Sequence, residues 1–155
     1  MFLSVVLVVA GFVAMEPITA LTHRMIMHGF GHALHRSHHR INSSGWEAND
    51  LYPLFFASIV VLGLAVGFNV PHWGSLVPVG IGITLYGAAY ALVHDVYIHG
   101  RLPLFRNRRF AALDRLADAH QVHHRRNGAP YGMLVPVLSR ANGSRPSHVP
   151  VDSNG

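Results

Sequence analysis

The sequence predicts an all-α integral membrane protein, with about three transmembrane helices and a histidine-rich helical cap on one face. Half of its 155 residues are hydrophobic and only 12% are charged, which is greasier than an ordinary soluble domain. Three stretches are long, apolar and almost free of charge. The arginines and nearly all the histidines crowd into the segments beside those stretches rather than spreading along the chain.

The first span covers residues 1–21 and is apolar apart from Glu16 and a few hydroxyls. It has neither a basic leader nor a clear small-x-small cleavage site, so it reads as a helix and not as a signal peptide. Residues 51–70 hold no charge, and a third span over 76–96 is uncharged as far as Val93. At about 1.5 Å per residue each can cross a hydrocarbon core about 30 Å thick. Spans and loops together form one membrane-embedded domain over residues 1–138. Residues 139–155 are rich in Ser, Pro, Gly and Asn and read as a disordered tail, so His148 is expected to have no catalytic role.

Every basic residue is an arginine. Arg24, Arg36 and Arg40 lie between the first two spans, and the other nine follow the third, beginning with Arg101. The positive-inside rule places both regions in the cytoplasm. Two spans separate them, so they emerge on the same face. A basic balance also raises nucleic acid as a partner. Arginines that flank apolar spans, with no recognition fold, argue against it.

The chain has no cysteine, which removes disulfides, thiolate metal sites and Cys nucleophiles and leaves thirteen histidines as the plentiful metal ligands. "HRSHH" (His35, His38, His39) and "HQVHH" (His120, His123, His124) repeat one H-x-x-H-H pattern. Positions i, i+3 and i+4 share a helix face, so each triplet can aim two or three ring nitrogens at one place. "HRMIMH" (His23, His28) and "HDVYIH" (His94, His99) are a matched H-x4-H pair. Five residues turn an ideal α-helix by about 140°, so these rings either flank a larger two-metal centre or require a distorted helix. Gly29 and Gly31 make distortion feasible after His28. Two copies of each spacing on one membrane face point to metal ligation. Imidazole suits zinc, copper, iron and nickel, and ten histidines suit two metals better than one.

At these residues the sequence resembles the bacterial β-carotene hydroxylase family, within the fatty acid hydroxylase superfamily of membrane non-haem di-iron oxygenases. "MEPITALTHRMIMHGFG", "LHRSHH", "EANDLY", "YGAAYALVHDVYIHGRLP" and "AHQVHH" carry the resemblance in order, from about Met15 to Gly128. Two departures stand out. His32 occupies a place where an aromatic residue is common in the family. "GAPYGMLVPV" replaces the usual Ser-Phe-Gly-Phe-like stretch.

The resemblance implies two iron ions held by His23, His28, His35, His38, His39, His94, His99, His120, His123 and His124, with O₂ as co-substrate. It implies hydroxylation of β-ionone rings at carbon 3, taking β-carotene through β-cryptoxanthin to zeaxanthin, in a bacterial cytoplasmic membrane. Metal-bound imidazoles usually donate their second nitrogen to a carboxylate or carbonyl. Asp95 is the first candidate for such a partner, followed by Glu47, Asp50 and Asn49. Glu16 joins them because a carboxylate near a span is costly and tends to be functional. Tyr86, Tyr90, Phe55 and Phe56 are candidates for the substrate channel, against the plainer reading that they pack the spans. The small residues of "VGIGITLYGAAYA" allow either close helix contact or room for the polyene.

No dinucleotide fingerprint is present, so electrons are expected from an external donor, a ferredoxin with its reductase. Most of the arginines are assigned to anionic membrane lipids. The main alternative is a related enzyme acting on a fatty acid, a sterol or another carotenoid. A haem-binding subunit would need histidines deep within facing spans, and a metal transporter would need polar residues at mid-span; the sequence shows neither arrangement.

Overall fold

The computed structural model describes residues 1–39, 45–105 and 107–136. Among these residues the chain is wholly helical. The expected tail, residues 139–155, lies outside them. Helix α1 (Phe2–Thr22) continues without a break into a π-helical segment, His23–Phe30, and a short α2 (His32–His35) follows. A 3₁₀ turn, Ala48–Asp50, leads into α3 (Leu51–Asn69). Helix α4 (Leu76–Tyr90) also runs on into a π-helical segment, Ala91–Ile98. A 3₁₀ turn at Pro103–Phe105 precedes α5 (Ala111–Arg126).

Three continuous helices, Phe2–Phe30, Ala48–Asn69 and Leu76–Ile98, are long and apolar enough to cross a membrane. The first is longer than the expected span over 1–21. Nothing in "THRMIM" breaks the helix, and the backbone leaves helical angles only at Gly29 (φ −100°, ψ −125°). Helix α3 stops at Asn69 because Val70 precedes Pro71 and is driven to extended angles (φ −107°, ψ 121°). Most large apolar side chains on the spans face outward, including Val9, Val13, Ile59 and Leu62. In a soluble domain such surface would be a liability; in lipid it is the expected exterior.

Helix α4 is the central member, packed against both α1 and α3. Two small residues set the α1–α4 crossing. A Cβ on Gly82 would run into the Val8 carbonyl, and one on Gly11 would lie 2.7 Å from the Val79 carbonyl oxygen. Gly80 turns toward α3, where its Cβ would stand 2.6 Å from Leu64. Without a hydrophobic driving force between helices in lipid, such close backbone approach carries much of their association.

The up-down-up course of α1, α3 and α4 brings the end of α1, the start of α3 and the end of α4 to one end of the molecule. Tyr52 secures that junction: its hydroxyl donates to the Gly31 carbonyl at 2.9 Å. Helix α5 begins where Phe110 takes extended angles and ends at Asn127, which adopts the left-handed conformation (φ 50°, ψ 39°) common just beyond helix C-termini. That turn sends the chain back over the histidines of α5.

Candidate metal centre

The histidines form two clusters at the shared helix end. His23, His28, His35, His39 and His123 make the first, and His38, His94, His99 and His120 the second. Within each, one nitrogen per ring lies within 4.8 Å of all the others. The H-x4-H pairs reach this arrangement through local helix geometry. His23 and His28 lie in one π-helical segment, and His94 lies in the other with His99 as its C-cap; i→i+5 hydrogen bonds stack residues five apart on one face. The His99 amide donates to the His94 carbonyl at 2.9 Å, closing such a turn between the two histidines themselves. Each pair therefore serves one cluster, and distortion of the helix is the alternative realised.

The H-x-x-H-H triplets do not stay within their own halves. His35 and His39 join the first cluster, one helical turn apart, while His38 crosses to the second. In the other triplet His120 joins the second cluster and His123 crosses to the first. The middle histidine of each triplet is exchanged, so neither half forms its cluster alone. His124 stands between them, its ring 4.5 Å from His39 and 4.4 Å from His120, with a buried Nε2 that has no hydrogen-bond partner among the described residues.

The outer nitrogens define the protonation state. His35 Nδ1 donates to Asn49 Oδ1 at 2.7 Å, His94 Nδ1 to Asp95 Oδ1 at 2.7 Å, His123 Nδ1 to the Gly128 carbonyl at 2.6 Å and His23 Nδ1 to the Tyr131 carbonyl at 3.1 Å. Each of these rings consequently turns an Nε2 lone pair inward. Nε2 of His23 lies 3.1 Å from Nε2 of His35, and Nε2 of His94 lies 3.0 Å from Nε2 of His38. Further Nε2 contacts join His35 to His39 at 3.0 Å, His28 to His123 at 3.1 Å and His99 to His120 at 3.0 Å. Converging lone pairs at that distance repel unless positive charge lies among them. A divalent ion binds imidazole nitrogen at about 2.0–2.1 Å, so neighbouring ligands at right angles stand about 3.0 Å apart. The donor set therefore fits a metal in each cluster.

Burial, reinforced by neighbouring imidazoles, lowers the pKa of His99 and His124 to about 3. His35 and His123 fall to about 4, because burial outweighs the hydrogen bonds each makes to an oxygen. Burial likewise pushes His38, His39 and His120 down. These rings are neutral at pH 7, the form that ligates metal.

The other candidate residues fall into distinct places. Asp95 and Asn49 touch histidines directly. Glu47 places Oε2 3.6 Å from His38 Nδ1, and neither atom has a hydrogen-bond partner among the described residues. Asp50 touches no histidine; it accepts from the Glu47 amide at 2.9 Å and from Arg101 at 2.8 Å. His32 joins neither cluster, and His72 is exposed in the turn between α3 and α4. Glu16 is an anchor: its carboxylate accepts from the Tyr86 hydroxyl at 2.7 Å and from the amides of Met133, Leu134 and Val135 at 2.8–3.1 Å.

Two contributors escaped sequence reasoning. Tyr131 gives its carbonyl to His23 and packs its ring against His28 and His123, at 5.4 and 5.6 Å. Tyr131 lies in the stretch "GAPYGMLVPV" that departs from the family pattern, and its carbonyl and that of Gly128 meet histidines of the first cluster. Arg101, grouped by sequence with the lipid-facing arginines, instead binds Glu47 and Asp50.

A cavity of about 490 Å³ runs between the spans toward the second cluster. Met15 and Thr19 of α1, Phe56 and Leu64 of α3, and Tyr86 and Gly87 of α4 are among its walls, and it ends on His94, Asp95 and Asn49. Tyr90 also lines it, with its ring stacked on His94 at 4.8 Å. Phe55 does not: it faces outward, 62% exposed, because its neighbour Phe56 takes the inward position on α3.

Fold and site together describe a membrane protein whose buried histidine clusters fit a metal centre. Comparison with known proteins gives the family. The model of the fatty acid hydroxylase family matches residues 8–144. The chain is 41% identical over 124 residues to the β-carotene hydroxylase of Pseudescherichia vulneris, covering 80% of this chain and 69% of that protein. It is 39% identical over 133 residues to the β-carotene hydroxylase of Pantoea ananas, covering 83% and 75%. A chloroplastic β-carotene 3-hydroxylase of Haematococcus lacustris is 37% identical over 138 residues, covering 85% of this chain and 43% of that longer protein. No solved structure matches significantly. The chain belongs to the fatty acid hydroxylase family and, within it, to the β-carotene hydroxylases. It is a hydroxylating oxidoreductase.

Proposed function

We propose that the protein is a β-carotene 3-hydroxylase, which inserts one atom of O₂ at carbon 3 of each β-ionone ring at a di-iron centre. The observation that carries this reading is the apolar cavity between the spans that ends on a cluster histidine, His94. Bound iron would supply the O₂-activating redox chemistry. Each hydroxylation also takes up two electrons and two protons and forms one water. No dinucleotide fingerprint is present in the chain, and an external donor such as a ferredoxin with its reductase fits that need.

The protein's own residues do the binding and orienting. Along α3 the cavity runs from Asp50 to Leu64, about 21 Å at the helical rise per residue. This is a slot for an elongated hydrocarbon entering ring first, with the rest of the molecule among the spans and lipid. The walls are apolar and keep water from the inner end. There Tyr90 covers one face of His94 and limits where a ring can lie. Asp95 holds the Nδ1 proton of His94 and keeps its Nε2 directed at the cluster. His38 and His94, His99 and His120 are the residues that would hold one iron, and the five histidines of the first cluster the other. The exchanged histidines, His38 and His123, make each position depend on both halves of the chain.

The test is pigment analysis of a β-carotene-producing bacterium expressing the chain, beside His38→Ala, His123→Ala and His32→Ala. Zeaxanthin and its mono-hydroxylated precursor are expected from the parent and from His32→Ala, and neither from the other two. Unaltered β-carotene with the parent in the membrane would overturn the substrate assignment, and lipid substrates would be tried next.

A further inference from the structure

The turn "EAND" places three polar side chains at the seam between the clusters. Asn49 Oδ1 holds His35 of the first cluster at 2.7 Å. Glu47 Oε2 faces His38 of the second at 3.6 Å. Asp50 Oδ2 accepts from the Glu47 amide at 2.9 Å and fixes the turn itself. One short element thus hydrogen-bonds a histidine of the first cluster and sets a buried carboxylate against one of the second. The Glu47 and Asp50 side chains are only 6% and 12% exposed, so these two carboxylates need a compensating charge.

Arg101 provides it. One guanidinium nitrogen donates to Asp50 Oδ1 at 2.8 Å and the other to Glu47 Oε1 at 3.1 Å. The arginine comes from the other half of the chain, two residues after His99. Gly100 in the left-handed region (φ 64°) turns the backbone there, and the Arg101 amide donates to the Asp95 carbonyl at 2.9 Å. The side chain is therefore aimed from a fixed backbone. Its planar fork suits two separate carboxylates, which an ammonium at one point serves less well.

We propose that Arg101 is a positioning residue for both metal sites, acting through Glu47 on His38 and through the turn and Asn49 on His35. This rests on the reading of the two clusters as metal sites. Removing the guanidinium leaves Glu47 and Asp50 without their shared counter-charge. The turn then opens, and one oriented imidazole is lost from each cluster at once. Glu47→Gln, by contrast, disturbs the second cluster alone.

The experiment measures metal per chain and rate of loss to a chelator for the detergent-purified full chain loaded with iron. Loading with cobalt(II) in parallel gives a visible spectrum that reports on ligation. The parent is expected to hold two metals, and a parent that holds none would overturn the metal-site reading itself, independently of Arg101. Arg101→Gln is expected to lose both metals at least about tenfold faster, the scale of effect typical for groups that orient ligands. Arg101→Lys should restore part of the retention, with an altered cobalt spectrum. Glu47→Gln should speed the loss of one metal and spare the other. Parent-like retention and spectrum in Arg101→Gln would overturn the proposal, as would selective loss of a single metal. Should Arg101→Gln fail to reach the membrane, Arg101→Lys decides: a parent-like cobalt spectrum then overturns it and a changed one supports it.

Discussion

Glu16 lies in the first span, where an unpaired carboxylate is costly. Three successive backbone amides and a tyrosine hydroxyl converge on it. It thereby ties down the segment whose Gly128 and Tyr131 carbonyls hold His123 and His23, both members of the first cluster. Glu16→Gln replaces one acceptor oxygen by an NH₂ that meets donors, at a cost of about 2 kcal/mol. The expected outcome is faster loss of one metal, from the first cluster, with faster proteolysis after Gly128 and little change in the second. Metal analysis beside limited proteolysis checks this. Sequence raised Glu16 as a candidate partner of the ligands, but it binds Tyr86, 70 positions away, and amides at least 117 positions away, and nothing in the local pattern names them.

Two glycines on α4 illustrate how one helix both packs and makes room. Gly82 is pressed against the Val8 backbone of α1, whereas a Cβ on Gly87 would meet nothing within 4 Å and would point to the cavity side. From sequence, "VGIGITLYGAAYA" left the two roles undivided; the structure gives packing to Gly80 and Gly82 and space to Gly87. Gly82→Leu is expected to cost at least about 1–3 kcal/mol through overpacking and to lower the yield of folded protein in the membrane. Gly87→Leu should fold and hold metal like the parent, while β-carotene turnover falls by about tenfold, a barrier change of about 1.4 kcal/mol. Comparing membrane yield, metal content and pigment conversion for the two variants separates the roles. The H-x4-H spacings teach a similar lesson: legible as ligand pairs, they become usable only because both helices change to π-helical hydrogen bonding at their ends.

At the scale of the whole molecule, the spans place every cluster histidine at one end and the α3–α4 turn at the other. From the arginine distribution we infer that the histidine end faces the cytoplasm. Because the chain has no cysteine, a single introduced thiol reports its own side of the membrane. In intact cells a membrane-impermeant maleimide should label Gly74→Cys, in the exposed α3–α4 turn. It should reach Arg125→Cys, exposed near the end of α5, only after the cells are opened. The reverse pattern would place the site on the outer face.

The sequence by itself determined the helical membrane class and three apolar stretches, because hydropathy is local and survives in one dimension, and its motifs carried the resemblance to the family. It also ranked Asp95 and Asn49 among the partners of the ligands, and both touch a histidine. The division of labour was decided by tertiary structure alone. Which cluster each histidine joins depends on how two helical triplets face each other across the seam, and that facing sends His38 and His123 to opposite halves. The same holds for Arg101, Tyr131 and Phe55. Whether an arginine meets lipid or two buried carboxylates, or an aromatic ring lines a cavity or faces outward, is fixed by which neighbours the folded helices bring against it.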